Sequence, residues 1–311
     1  MAKELCSGYT TGACAAAGVK ACFLFQAGED WNEIALTALD GTPLVIPVKA
    51  VVETPDGVRA EVIKFSGDDP DITNGVSVFT TVKMLDGHQG IVFRAGEGVG
   101  TVTKRGMSLP VGEPSINKGP RELIRRVVSE MTGQEDFGAE VTIAIPEGVE
   151  LAKKTLNPVL GIEGGISVIG TTGVLRPMSE EAFKDSLVPQ IDVALASGED
   201  VLVFVPGKIG ERIALALGIS QAAIIETSNF IGFMLDRAAE RGAKGVLILG
   251  HTGKLVKIAA GVFHTHNRIA DARLETLAAY AAAEGLEQNG VRAVLASNTT
   301  EDAMERIAEA G

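Results

Sequence analysis

Three groups of residues in this sequence have types and spacings suited to chemistry. The run Gly67-Asp68-Asp69-Pro70-Asp71-Ile72-Thr73-Asn74-Gly75 sets three carboxylates on a loop between apolar stretches. Such a loop is able to bind a hard cation or to take up a proton, with Asp69 and Asp71 as the candidate acceptors; the EF-hand spacing is absent, and an Asx-rich turn is the plainer outcome. The island from Lys104 to Arg126 gathers Lys104, Arg105, Lys118, Arg121, Arg125 and Arg126 against Glu113 and Glu122 alone. Arg121 and Arg125 share a helix face, with Lys118 nearby, and are placed to pair with carboxylates; a solvated helix face is the competing reading. The third group is Gly8-Tyr9-Thr10-Thr11-Gly12-Ala13-Cys14-Ala15-Ala16-Ala17-Gly18, in which Thr10 or Thr11 caps a helix of very small residues. The free N–H groups and dipole of such a helix start favour phosphate or carboxylate, unless the helix is simply packed tightly in a core.

The second half offers another arrangement. Val201 to Val205 runs into Pro206-Gly207-Lys208, Glu226 ends the next apolar run, and Gly250-His251-Thr252-Gly253-Lys254 ends a further one. In an open α/β sheet these loops meet at the edge where ligands collect, and they suit an adenosyl group, with Glu226 at the distance from the first loop where an acid meets ribose hydroxyls. The glycine fingerprint G-x-G-x-x-G is absent. His264 and His266 lack zinc spacing and read as hydrogen-bonded loop histidines, so no protein-bound metal is expected. Thr171-Thr172-Gly173 repeats the Thr-Thr-Gly of the N-terminal stretch.

The elements that must position these groups divide into two textures. After a helix from Thr11 to about Phe25 come β-rich segments at Ile34–Leu39, Leu44–Val52, Val58–Phe65, Val76–Met84 and Ile91–Arg94. Asp40-Gly41, Asp56-Gly57 and Asp86-Gly87 lie between them as hairpin turns. A helix over Pro120–Met131, a strand over Val141–Ile145 and a short helix over Val149–Leu156 follow. From Gly161 the pattern alternates. Strands are expected at Ile166–Ile169, Val201–Val205, Ala222–Ile225, Val246–Leu249 and Val291–Leu295. Helices are expected at Ser179–Ala196, Ile209–Leu217, Phe230–Arg241, Leu255–Val262, Asp271–Ala283 and Thr300–Ala310. The expectation is an α+β domain, mostly antiparallel, over 1–160, and an α/β domain with a parallel sheet over 161–311.

Composition bounds the rest. At 311 residues, 46% hydrophobic and 22% charged, the chain holds two ordinary domains with full cores. A formal net charge of -12 opposes binding to nucleic acid or anionic membranes, so a polyanionic substrate needs a local basic site. Cys6, Cys14 and Cys22 fit neither a disulfide framework nor a metal motif, and no run is long enough to cross a membrane; reduced thiols in the cytoplasm are the expectation.

Taken in order, the Gly-aromatic-Thr-Thr-Gly run into Cys14-Ala15-Ala16-Ala17 resembles the N-terminal signature of the CbiD family, the C1-methyltransferases of the anaerobic, cobalt-early route to cobalamin. The loop at Gly67–Gly75 is similar to a run in that family. So are Gly100–Lys104 with Pro110–Pro114 and Ile116-Asn117, then Asn157-Pro158 with Gly161-Ile162, Gly164–Ser167 and Gly170–Gly173. Ser228-Asn229-Phe230, Gly250-His251, Gly253-Lys254-Leu255, Thr265-His266 and Ala270-Asp271 continue the likeness. The resemblance implies methylation of C1 of cobalt-precorrin-5B by S-adenosyl-L-methionine to give cobalt-precorrin-6A. It also implies an N-terminal domain like the second domain of ribosomal protein S5 and a Rossmann-like three-layer C-terminal domain. On this reading Thr10, Thr11, Gly12, Lys104, Arg105, Lys118, Arg121, Arg125, Thr171 and Thr172 bind the tetrapyrrole, whose cobalt is part of the substrate. Gly207, Glu226, Asn229, Gly250, His251 and Gly253 line the donor site. Alignment and desolvation supply most of the acceleration for so activated a methyl group. A nicotinamide-dependent tetrapyrrole reductase and a non-catalytic tetrapyrrole carrier are the competing classes, and oligomeric state is left open.

Overall fold

The structure, a computed structural model, describes residues 5–87 and 90–310. It divides into two compact units, 1–179 and 180–311.

In the first unit, strands Ala50–Thr54, Gly57–Ile63, Ser77–Met84, Ala139–Ala144 and Ile91–Ala95 lie side by side in that order. Every pairing is antiparallel except the last, Ala139–Ala144 with Ile91–Ala95. Alternation decides which face is buried: Val58, Ala60 and Val62 point to the core, as do Val78, Thr80 and Val82. The helix Thr11–Ala27 lies against these strands and against the helix Lys118–Thr132. Its small residues make that approach possible. A Cβ on Gly18 would stand 2.9 Å from the Thr80 side chain, and Ala13 to Ala17 are wholly buried.

The single strand expected over Leu44–Val52 is two strands, Pro43–Pro47 and Ala50–Thr54. The chain changes partner between them. Pro43–Pro47 forms a hairpin with Glu33–Thr37, whereas the Lys49 N–H already donates to Glu61 of the larger sheet.

Residues 161–179 lie within the first unit, so the division falls at Ser179 and not near Gly161. The reason is pairing: Ile162–Glu163 pairs with Thr101–Val102, Gly165–Ile166 with Gly98–Val99, and Val174–Leu175 with Gly8–Tyr9. The strand expected at Ile166–Ile169 is accordingly a two-residue rung of this web, Gly165–Ile166, and no part of the second unit's parallel sheet.

The second unit has a three-stranded parallel sheet. Val201–Val205 is central, with Ile224–Glu226 on one side and Gly245–Ile248 on the other. Val291–Leu295, expected as a strand, belongs to the helix Gln288–Leu295. Val291, Val294 and Leu295 have the i, i+3, i+4 spacing of a helix face, and Val294 is buried with Ala278 and Ala303 of the helices Arg273–Ala283 and Thr300–Ala310. The helix expected over Ser179–Ala196 is two, Glu180–Leu187 and Pro189–Ala196, because Pro189 has no N–H to continue the ladder. Among the described residues no helix is long and apolar enough to cross a membrane.

Candidate functional site

The structure brings the two Thr-Thr-Gly stretches together. Thr10 caps the first helix, its hydroxyl accepting from the Ala13 N–H at 3.2 Å, while its own N–H donates to Gly173. Thr11 donates its hydroxyl to the Ile169 carbonyl and accepts from the Ile169 N–H; the Gly12 N–H donates to that same carbonyl. Thr172 accepts from the Val174 N–H and its carbonyl from the Leu39 N–H. Only glycine fits where these segments meet: a Cβ on Gly12 would stand 2.5 Å from Pro120, on Gly119 2.2 Å from the Gly170 carbonyl, and on Gly170 2.2 Å from the Thr10 hydroxyl. Thr10 and Thr11 are buried, and the Thr10 and Gly12 N–H groups and the Thr11 hydroxyl are given to Gly173 and Ile169, so this helix start is the packed alternative and not an open anion site. Thr171 and Lys118 are exposed beside it.

The aspartate loop is fastened by its carboxylates. Asp68 accepts from the Cys6 N–H, Asp69 from the Met178 N–H, and Asp71 binds the ammonium of Lys64, which is 2% exposed, at 2.7 Å. Burial opposes the charged form of Asp71, but Lys64 and the Thr73 hydroxyl and N–H outweigh it and hold the carboxyl below its ordinary value. Asp71 is thus committed to Lys64 and Thr73, and Asp69 to the Met178 N–H through Oδ2. Among the described residues no group of three or more His, Cys, Asp or Glu side chains is placed to hold a metal ion.

The basic island separates into used and unused cations. Arg121 binds Glu113 at 2.8 Å and the carbonyls of Ile116 and Pro114, and lies 5.1 Å from the Phe93 ring centroid; these contacts take up its Nε and Nη2. Arg125 lies over the same ring, Arg126 pairs with Glu122, and Lys104 donates to the Val159 carbonyl. Arg105 and Lys118 are exposed, and among the described residues neither has a carboxylate partner.

In the second unit the loops expected to hold a ligand do converge. The strand order places the reversal of winding between Val201–Val205 and Gly245–Ile248, and the loops leaving their carboxyl ends lie in contact. A Cβ on Gly210 would stand 2.2 Å from the Leu249 carbonyl, and the Lys254 ammonium donates to the Pro206 carbonyl at 2.8 Å. Gly207 caps the helix Lys208–Ala216 with open space where a side chain would be. Glu226 meets Lys208 at 3.2 Å. His251 caps the helix Thr252–Ala259, Nδ1 accepting from the Gly253 N–H, and its Nε2 lies 3.1 Å from Glu301. Ser228, just past the strand Ile224–Glu226, has φ of 52°, a left-handed conformation rare outside glycine and common at functional sites.

A polar cleft of about 370 Å³ opens here, lined by Asn229, His251, Gly253, Lys254, Lys257 and Arg273 among others. A second hollow of about 480 Å³, mostly apolar, is lined by Phe230, Phe233, Phe263, His264 and Lys184. One backbone ladder separates them. Phe230 pairs with His264 and the Thr265 N–H donates to Asn229, so alternate residues face alternate hollows. Lys257, Thr265, Asn267 and Arg273 were not among the expected site residues. Lys257 carried a signal: it falls at i+4 from Gly253 and beside Val256, on the buried face of its helix, where a lysine is out of place.

The family model for CbiD matches residues 1–177, more than half of the chain. The chain belongs to the CbiD family. A model for the CbiD C-terminal domain matches residues 264–311. The cobalt-precorrin-5B C(1)-methyltransferase of Methanocaldococcus jannaschii is 47% identical over 306 residues, covering 98% of this chain and 84% of that protein. The one from Moorella thermoacetica is 49% identical over 309 residues, covering 99% and 84%. A 1.9 Å crystal structure of the cobalamin biosynthesis protein cbiD from Archaeoglobus fulgidus is similar at 27% identity and TM-score 0.46, covering 86% of this chain and 84% of that one. Within this CbiD chain, the Thr-Thr-Gly web is the framework of the first unit, and the polar cleft gathers donors in the second.

Proposed function

We infer that this CbiD chain is a cobalt-precorrin-5B C1-methyltransferase, giving cobalt-precorrin-6A with S-adenosyl-L-methionine as donor. The observation that carries the reading is the near-full-length identity to proteins of that name. When bound, S-adenosyl-L-methionine supplies a methyl group already activated on a sulfonium.

The chain fits such a donor in the second unit. Glu226, at a strand's carboxyl end, offers an acceptor for ribose hydroxyls, and Gly207 and Gly250 keep the loops beside it clear of side chains. Thr227, wholly buried next to Glu226, has a hydroxyl with no hydrogen-bond partner. Asn229, His251 and Gly253 line the polar cleft. This supports a Rossmann-like assignment for the second unit, as the antiparallel sheet and packed helices support an S5-like one for the first. Substrate carboxylates fall to the cations that the fold leaves unused, Arg105 and Lys118, with Lys104 and Thr171 beside them in the reading. Arg121 and Arg125 hold that surface in shape over Phe93. The cytoplasm suits the three free thiols, of which burial pushes Cys14 and Cys22 up to about 12.

The test is turnover. Incubation of the protein with cobalt-precorrin-5B and methyl-13C donor is expected to place one labelled methyl at C1, read by NMR. Absence of label in the product, together with thermal stabilisation by NADPH and none by S-adenosylhomocysteine, overturns the reading in favour of a reductase.

A further inference from the structure

The polar cleft contains a charge without a counter-charge. Lys257 is 1% exposed, and its ammonium donates to two neutral acceptors, the Thr265 carbonyl at 3.1 Å and the Asn267 side-chain oxygen at 2.7 Å. Among the described residues no carboxylate lies within ion-pair distance of it. The nearby acids are engaged elsewhere: Asp271 with Arg273, Glu301 with His251, and Glu226 with Lys208. A buried ammonium is ordinarily paired, since taking an ion out of water costs far more than a hydrogen bond to a neutral oxygen returns.

Other donors face the same place. Arg273 uses Nε and Nη2 on Asp271, and its Nη1 lies 3.5 Å from where a Gly253 Cβ would stand. The Thr300 hydroxyl, 1% exposed and without a hydrogen-bond partner, lies 3.3 Å from that point. Gly253 lies in the first turn of the helix Thr252–Ala259, whose positive end favours an anion. Burial lowers the Lys254 pKa, with Glu226 opposing and the Lys257 charge adding to the effect.

We propose that the floor of this cleft is a carboxylate site, with Lys257 as its buried cation and Lys254, the free edge of Arg273 and the Thr300 hydroxyl around it. A carboxylate fits better than a phosphate. The loop before the helix is only Leu249-Gly250-His251, and the N–H groups of Lys254 and Leu255 are already given to the His251 carbonyl, so no backbone cradle exists for a third oxygen. Two sources carry this chemistry: the amino-acid end of the methyl donor, which rests on the function inferred above, and an acetate or propionate of the tetrapyrrole.

Calorimetric binding of S-adenosylhomocysteine and of methylthioadenosine, which lacks the amino-acid end, separates them. Lys257→Met is expected to weaken S-adenosylhomocysteine about 100-fold and Arg273→Gln about tenfold, with methylthioadenosine changed less than about twofold. Arg273 is partly exposed, so its variant carries the test if Lys257→Met does not fold. Unchanged S-adenosylhomocysteine affinity with a tetrapyrrole KM raised tenfold or more assigns the carboxylate to the tetrapyrrole and keeps the site. Equal weakening of both nucleosides, or no change in any of these, overturns it. If the wild-type protein does not bind S-adenosylhomocysteine, the donor reading fails, and citrate decides the site separately. Thermal stabilisation by citrate in the wild type and its loss in both variants keeps the site; stabilisation equal in all three, or absent from the wild type, overturns it.

Discussion

The helix that begins at Thr11 and the helix that begins at Thr252 both open on Thr-Gly, and both have a side chain capping the first turn. At Thr11 the donors are used within the protein: Ile169 and Gly173 take the N–H groups, Thr10 caps, and glycines let the backbones touch. At Thr252 the same opening is left with a long bond from the Gly253 N–H to His251 at 3.3 Å, an unpartnered Thr300 hydroxyl and a buried Lys257 without an acid. Helix polarity is common to both; whether it serves packing or binding depends on whether neighbouring chain arrives to satisfy it.

The contrast can be broken most forcefully through the buried cations. Lys64 has its acid and Lys257 does not, so Asp71→Asn should cost roughly 3 to 5 kcal/mol in urea unfolding, by leaving Lys64 uncompensated. The same variant fixes a sign. Folding lowers the Asp71 pKa, so the stability it contributes is complete above its unfolded value of about 4 and is lost as pH falls through the lowered folded value. Asp71→Asn should therefore flatten the acid limb of the stability curve, and an unchanged limb would show that the pair is not what secures the loop.

Gly119→Ala tests the closed helix start directly. Its methyl would meet the Gly170 carbonyl, which is backbone and cannot turn aside, and a loss of about 3 kcal/mol is expected. A loss below about 1 kcal/mol would mean the segments are looser than their spacing requires. Next in size are the arginines. Arg121→Ala should cost roughly 2 kcal/mol, leaving the Ile116 and Pro114 carbonyls short of a donor. Arg105→Ala should change stability by less than about 0.5 kcal/mol and raise the tetrapyrrole KM. The reverse pattern would exchange their roles. The smallest effect sharpens the comparison most. Thr10→Val should cost about 1 kcal/mol through the lost cap, whereas Thr300→Val should cost nothing in the ligand-free protein, because its hydroxyl has no partner to lose.

Much of the fold was legible because period and punctuation agree with it. Val201–Val205 appears as a strand at the expected residues, and Thr300–Ala310 as a helix at its expected bounds. What misled was short apolar runs. Val291–Leu295 has the composition of a strand, and only the three-residue spacing of Val291 and Val294 matches the helix face that packs against its neighbours. Residues 161–179 look like the start of the second unit because their partners, Gly98–Val102 and Gly8–Tyr9, are distant in sequence. The loops at the carboxyl edge of the parallel sheet were legible from strand ends; their chemistry was less so. Lys257 and Arg273 reach the cleft from positions whose importance depends on burial and on where Asp271 points. Arg121, conversely, drew attention by charge density, and it is Glu113 and two carbonyls that engage it.

The web tying Gly8–Gly12 to Ile169–Leu175 also bears on the order in which the protein can be made. The first helix, apolar nearly all round and buried from Thr11 to Val19, is made before the residues that satisfy its start, which come more than 150 positions later. In that interval it can pack on Gly57–Ile63, Ser77–Met84 and Lys118–Thr132, but the bonds from Thr11 and Gly12 to Ile169 wait for closure over the whole span. Synthesis halted after Lys118–Thr132 would thus leave the first helix packed along its length while the Thr11 hydroxyl and the Gly12 N–H still wait for Ile169.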